Sequence, residues 1–152
     1  MTIELATYED IHQLCNLENN TFGVNDFRLN ARNFKYHIKK NHLYIAKEDD
    51  GFIAGYILFF VYQQSVRIYS LAVQENFRGR KIAQQLLLRV KQLTLTLQKV
   101  YISLEVRIDN INAIMLYSKM GFKKILILKH YYLDGTSGLK MKWKMDGADG
   151  GI

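Results

Sequence analysis

The sequence predicts an α/β fold of the α+β type, with a mixed, mostly antiparallel central sheet flanked by helices. Three observations predict it. Strand-like apolar runs and amphipathic helical stretches follow the order β-α-α-β-β-β-α-β-α-β-β. One stretch, Val66 to Val106, reads as a strand–helix–strand unit, the connection that parallel pairing needs, whereas tight turns elsewhere give antiparallel pairs. Finally, 49% of the 152 residues are hydrophobic, enough for a real core in one domain.

The elements can be justified in turn. Ile3 and Leu5 suggest a short first strand. Thr7 or Asp10 can cap a helix whose apolar face is Ile11, Leu14, Cys15 and Leu17. Residues 20–26, NTFGVND, read as a loop, and Phe27 to Lys40 as a helix with Phe34, Tyr36 and Ile38 partly in phase. Leu43 to Lys47 and Phe52 to Tyr62 form a hairpin around the turn Asp49-Asp50-Gly51. Val66 to Val73 is a further strand. Ile82, Leu86, Val90, Leu93 and Leu97 recur every three or four residues, which predicts an amphipathic helix over 81–98. Val100 to Val106 is a strand rich in Val, Ile, Leu and Tyr. Asp109 or Asn110 caps a helix carrying Ala113, Leu116, Tyr117 and Met120 on one face, and Gly121 ends it. Strands at Lys124 to His130 and Leu139 to Lys144 follow. Residues 1–145 are thus expected to form a single domain, with 146–152 a disordered tail.

Composition narrows the function classes. Lys plus Arg number 21 against 14 Asp plus Glu, a net charge of +7 that favours an acidic partner: nucleic acid, an anionic surface or a phosphate-bearing small molecule. The only cysteine, Cys15, excludes an internal disulfide and fits a reducing, cytoplasmic setting. The start, MTIELATYED, lacks the long apolar core of a signal peptide, and no apolar run reaches the roughly 20 residues of a membrane-spanning helix. His12, His37, His42 and His130 show no metal-ligand spacing, so no metal is expected.

One stretch concentrates charge: NFRGRKIAQQLLLRV, 76–90, where a strand runs into a helix. A helix start leaves about four backbone N–H groups unpaired and carries partial positive charge, so it suits an anion. Arg78, Arg80 and Lys81 would add charge-assisted contacts to phosphate, and Gly79 would let the backbone approach it. Residues Arg78, Gly79, Arg80, Lys81, Ile82, Ala83 and Gln84 therefore read as a pyrophosphate cradle. A merely solvated basic helix start is the competing reading, but cations at that end oppose the dipole. Neither GxxxxGK[ST] nor GxGxxG is present.

SLAVQENFRGRKIAQQLL resembles the acetyl-CoA motif [QR]-x-x-G-x-[GA] of the GNAT acetyltransferases, with Arg78 at its first position and Ala83 at its last. The motif's middle glycine is replaced by Lys81. LEVRIDNINAIMLYSKMGFKK, 104–124, resembles the GNAT segment LEVR-x-x-N-x-x-A-x-x-LY-x-x-x-GF almost position by position, and KHYYLDGTSGLKMKW is similar to the end of the RimI-type enzymes that acetylate ribosomal-protein N-termini. The resemblance spans about 66–143; over 1–60 it is one of element order alone. It implies a GNAT fold, acetyl-CoA as co-substrate, and a protein or peptide N-terminus as acceptor.

N-acetylation needs a base for the amine and a proton donor for the departing thiolate. Glu105 lies between Leu104 and Val106, so strand alternation leaves its carboxylate alone on one face, where it could be the general base. A surface carboxylate paired with Arg107 or Lys99 is the alternative. The resemblance implies the base. Tyr117 sits on the apolar helix face, which core packing alone would explain; its phenol, with an ordinary pKa of about 10, also suits a proton donor, the role the resemblance implies. The resemblance further implies that Asn110 contacts CoA, although capping explains it, that Leu71, Ala72 and Val73 present backbone groups to the acetyl and pantetheine arm, and that Tyr131 and Tyr132 line a peptide groove, although they could simply pack on the sheet. An α-amine, with a pKa of roughly 7.7–8.0 against about 10.4 for lysine, is the easier amine to deprotonate at neutral pH. Acceptors among small-molecule amines or lysine side chains are the alternative enzyme reading. A CoA-binding or nucleic-acid-binding module is the non-enzyme one, and nucleic acid is disfavoured because no RNP or helix-turn-helix signature is present. No membrane partner is expected; a monomer or homodimer is.

Overall fold

A computed structural model describes residues 1–23 and 28–145. The strands are β1 (Thr2–Leu5), β2 (Leu43–Lys47), β3 (Ile53–Val61), β4 (Ser65–Val73), β5 (Tyr101–Arg107), β6 (Lys123–Leu128) and β7 (Gly138–Lys144). The helices are α1 (Ile11–Thr21), α2 (Ala31–Lys39), α3 (Ile82–Thr96) and α4 (Ile111–Lys119), with 3₁₀ turns at Tyr8–Asp10 and Glu75–Phe77. The strand order is β1-β2-β3-β4-β5-β7-β6. β4 and β5 pair in parallel, and β1–β2, β2–β3, β5–β7 and β6–β7 pair antiparallel, so the mixed, mostly antiparallel α/β expectation holds. Among the described residues no helix is long and apolar enough to cross a membrane.

The described residues divide into two compact units, Met1–Phe59 with Ser70–Val90, and Phe60–Tyr69 with residues 91–145. In the first unit the hairpin register Leu43↔Leu58 to Ala46↔Gly55 is buried on both faces. Leu14, Leu17, Phe34, Ile38, Ile45, Ile53 and Tyr56 form its core, with Phe34 edge-on to Tyr56 at 5.7 Å. Burying such side chains contributes about 1.5–3 kcal/mol each. A buried carboxyl group belongs to this core: Glu18 accepts from Leu29 N–H at 2.7 Å and from the Tyr56 hydroxyl, so its oxygens are satisfied by protein donors. In the second unit β5 is held on one side by β4, from Ser65↔Tyr101 to Ile68↔Leu104, and on the other by β7, from Tyr101↔Lys144 to Arg107↔Gly138.

Several boundaries differ from the expectation. α1 runs to Thr21, so Asn20 and Thr21 are helical, and positions 24–26 of the expected loop lie outside the described residues. The second helix begins at Ala31, because the Asn30 side chain accepts from Asn33 N–H at 2.9 Å and caps it there; position 27 is also outside the described residues. Tyr36 is not on its buried face but 57% exposed. Asp10 reaches back rather than forward: its Oδ2 accepts from the Thr7 amide at 2.8 Å and hydroxyl at 3.2 Å. α3 stops at Thr96 and leaves Leu97 exposed, with Leu87 and Thr94 joining Ile82, Leu86 and Val90 among its buried residues. β6 ends at Leu128, short of His130, whose φ is 54°. The expected tail, 146–152, lies outside the described residues.

Candidate active site

The expected cradle belongs to the first unit. β4 ends at Val73, the 3₁₀ turn Glu75–Phe77 follows, and α3 starts at Ile82. Gln85 N–H to Lys81 C=O, 3.1 Å, is the first bond of the helix. The amides of Ile82, Ala83 and Gln84 therefore stand at the helix end, where an anion is favoured. Arg78, Gly79, Arg80 and Lys81 are all exposed. Gly79 has φ +83° and nothing within 4 Å of where a Cβ would lie, so the peptide there is open to a ligand. Lys81, which replaces the motif's middle glycine, has φ 61°. The left-handed backbone that favours glycine is thus kept under a lysine side chain, at a cost of about 1–2 kcal/mol.

Two of the segment's cations are anchored. Arg78 Nε donates to Val73 C=O at 3.3 Å, tying the segment to the strand end. The Arg80 guanidinium lies 4.8 Å over the Phe77 ring, which stacks on Phe52 at 5.5 Å. Among the described residues none of Arg78, Arg80 and Lys81 is paired with a carboxylate. Beside them Ala72 is buried, and a Cβ on Gly55 would sit 2.8 Å from Ala72 C=O, so β3 and β4 approach as only glycine permits. The residues present fit a polyanionic ligand laid on backbone amides.

Glu105 belongs to the second unit and is not alone. Arg67 of β4, the neighbouring parallel strand, gives Nη2–Oε1 at 2.6 Å and Nε–Oε2 at 3.4 Å. The Tyr131 hydroxyl donates to Oε1 at 3.4 Å. The Glu105 side chain retains 15% of its surface and Arg67 retains 30%. Neither expected partner is used: Lys99 Nζ donates to Gln63 C=O at 2.9 Å, and Arg107 binds Asp134 and Asp109. Leu104 and Val106 are buried, as the alternation predicted. Arg67 was legible only as a cation inside an apolar run, and nothing local in the sequence names a partner 38 residues away. Oε1 is crowded by donors, whereas among the described residues Oε2 has only the longer Arg67 contact and keeps acceptor capacity for an amine or a water.

Tyr117 lies on α4, 7% exposed, edge-on to Phe122 at 5.7 Å. Burial, and then the nearby Tyr132, push its phenol well above the ordinary value, so it stays protonated at neutral pH. Asn110 caps α4, its side chain accepting from Ala113 N–H at 3.2 Å. Tyr131 and Tyr132 lie on the β6–β7 connection, edge to face at 5.1 Å, against Gly138, where an added Cβ would meet both rings at 3.3 Å. Burial and Glu105 raise the Tyr131 phenol, so it too remains a donor. In the second unit the fold thus joins Glu105 to Tyr131 and adds Arg67. In the first it assembles 71–73 with 78–84.

The sequence profile of the Acetyltransferase (GNAT) family matches residues 10–122. The chain is 30% identical to an N-alpha-acetyltransferase of Sulfolobus acidocaldarius, over 91% of this chain and 89% of that one. It is also 30% identical to a putative [ribosomal protein bS18]-alanine N-acetyltransferase of Bacillus subtilis, over 66% of each chain. A subunit in the crystal structure of the NatC complex bound to Gag peptide and CoA has a similar fold, with a TM-score of 0.83 at 19% identity, covering 95% of this chain and 98% of that one. The matched profile, with the mixed sheet it requires, places this chain in the GNAT acetyltransferase family.

Proposed function

We propose that the chain, acting through 1–145 as a single acetyltransferase domain in the cytoplasm, transfers the acetyl group of acetyl-CoA to the α-amine of a protein or peptide N-terminus, as the names of its relatives suggest. The observation that carries this reading is the Glu105 carboxylate of β5, shielded, oriented by Arg67 and Tyr131, and with Oε2 still able to accept. Glu105 takes a proton from the incoming ammonium, directly or through water. Arg67 and Tyr131 hold the carboxylate in place through Oε1. The neutral amine bonds to the acetyl carbon as the carbon–sulfur bond breaks, and the second proton that the nitrogen then sheds restores the Tyr117 phenol once that phenol has protonated the sulfur. Tyr117, held in its protonated form, offers a proton to the departing sulfur. Leu71, Ala72, Val73, the cradle Arg78–Gln84 and Asn110 hold acetyl-CoA, and Tyr131 and Tyr132 flank the peptide. Most of the rate comes from holding amine and thioester in reacting geometry.

The test is release of free thiol from acetyl-CoA with a library of N-terminal peptides, with N-terminally blocked lysine peptides and with small amines. Thiol release with free α-amines and not with blocked peptides is expected. Release only with blocked lysine peptides or small amines would overturn the N-terminal reading.

A further inference from the structure

The β6–β7 connection that carries Tyr131 and Tyr132 is half-exposed, yet it converges on one side chain that the mechanism leaves without a role. Arg107, at the end of β5, donates from Nη2 to Asp134 Oδ2 at 2.5 Å and to Thr136 Oγ1 at 2.9 Å. Its Nε donates to Asp109 Oδ1 at 3.3 Å, and its guanidinium lies 5.0 Å over the Tyr132 ring. The connection is closed around these contacts: Tyr132 N–H to Thr136 C=O at 3.1 Å, Gly135 N–H to Tyr132 C=O at 2.9 Å, and Ile108 N–H to Ser137 C=O at 3.0 Å. Asp134 Oδ1 also accepts from Thr136 N–H at 2.9 Å. A planar fork that bonds, pairs and stacks at once fixes a loop in a way a point charge cannot. Two residues before Arg107, on the same side of the alternating strand, stands Glu105, which receives the Tyr131 hydroxyl at 3.4 Å.

We infer that Arg107 is a positioning residue for the acceptor: it locks the Asp134–Thr136 turn so that Tyr131 and Tyr132 are held beside Glu105, and thereby sets the affinity for the acceptor peptide. The inference rests on the reading of Glu105 and the two tyrosines given above. Arg107 and the adjacent Thr136 amide hold the Asp134 carboxyl down to about 2, so the lock is closed throughout the neutral range.

The test compares wild type with Arg107→Lys, which keeps the charge and loses the fork, and with Asp134→Asn, which keeps the Thr136 bond and loses the ion pair. The peptide KM should rise roughly tenfold in Arg107→Lys and by less in Asp134→Asn, with no additivity in the double variant. The KM for acetyl-CoA and kcat should stay within about twofold. In hydrogen exchange, the amides of Ile108, Tyr132 and Gly135 should exchange faster in Arg107→Lys, while amides elsewhere in β5 keep their protection. An unchanged peptide KM, or equal rises in both KM values, would overturn the inference. If wild type acetylates no N-terminal peptide, the proposed function fails on its own, and hydrogen exchange still decides the lock: unchanged protection of the connection in Arg107→Lys rejects it.

Discussion

The segment 78–84 and strand β5 both carry charge, and they hold it in opposite ways. In 78–84 the groups proposed to hold acetyl-CoA are largely backbone: helix-start amides and an open glycine, with three exposed cations that have no carboxylate partner among the described residues. On β5 the groups given a proposed role are side chains, and each is tied down: Glu105 by Arg67 and Tyr131, Arg107 by Asp134, Thr136 and Asp109. A backbone site tolerates a changed side chain provided the chain keeps its path, and Lys81 keeps at φ 61° the left-handed path of the motif's glycine. A side-chain site tolerates much less, because removing one partner leaves a partly buried charge uncompensated.

That contrast can be broken at graded cost. Tyr117→Phe removes one hydroxyl from a buried ring, so turnover should fall roughly 10²-fold with the acetyl-CoA dissociation constant nearly unchanged, as steady-state rates and calorimetry would show. Wild-type turnover in this variant removes Tyr117 from the chemistry. Gly55→Ala forces a methyl to within 2.8 Å of Ala72 C=O, so it should destabilise by about 1–3 kcal/mol in urea denaturation. No loss would mean that the close approach of β3 to Ala72 is not required. Arg78→Ala with Arg80→Ala should raise the acetyl-CoA dissociation constant about tenfold or more at low salt, and less at high salt. An unchanged constant misplaces the cradle. Smallest, Lys81→Gly relieves the left-handed lysine and should raise stability by up to about 1 kcal/mol, less whatever glycine loses in unfolded-chain entropy. A destabilised variant would show that the Lys81 side chain has a supporting role.

The same contrast explains what the sequence disclosed. Backbone features tied to local pattern were legible: the strand into α3, the Asn110 cap, the Gly121 stop at φ +96°, and the β2–β3 hairpin around Gly51. Local competition hid the start of α2, because the apolar rhythm of Phe34 and Ile38 extends a helix backward while Asn30 ends it by capping. Lys81's backbone was illegible because lysine ordinarily takes right-handed φ. The Arg67–Glu105 pair was illegible for a different reason. It depends on the register of two parallel strands, Arg67 opposite Ser103, and register is a property of packing rather than of either strand alone. Alternation placed Glu105 on one face correctly but could not say what stood beside it.

The central claim is that Glu105 removes the amine proton, and the pH–rate profile of Glu105→Gln on one N-terminal peptide tests it most directly. The substitution keeps the shape and removes the basicity. The account predicts a variant slowed by roughly 10²–10⁴-fold at neutral pH that partly recovers as pH rises through about 7.7–8.0, where an α-amine loses its own proton. A flat profile at near wild-type rate would contradict it, and would leave the Arg67–Glu105 pair a structural ion pair.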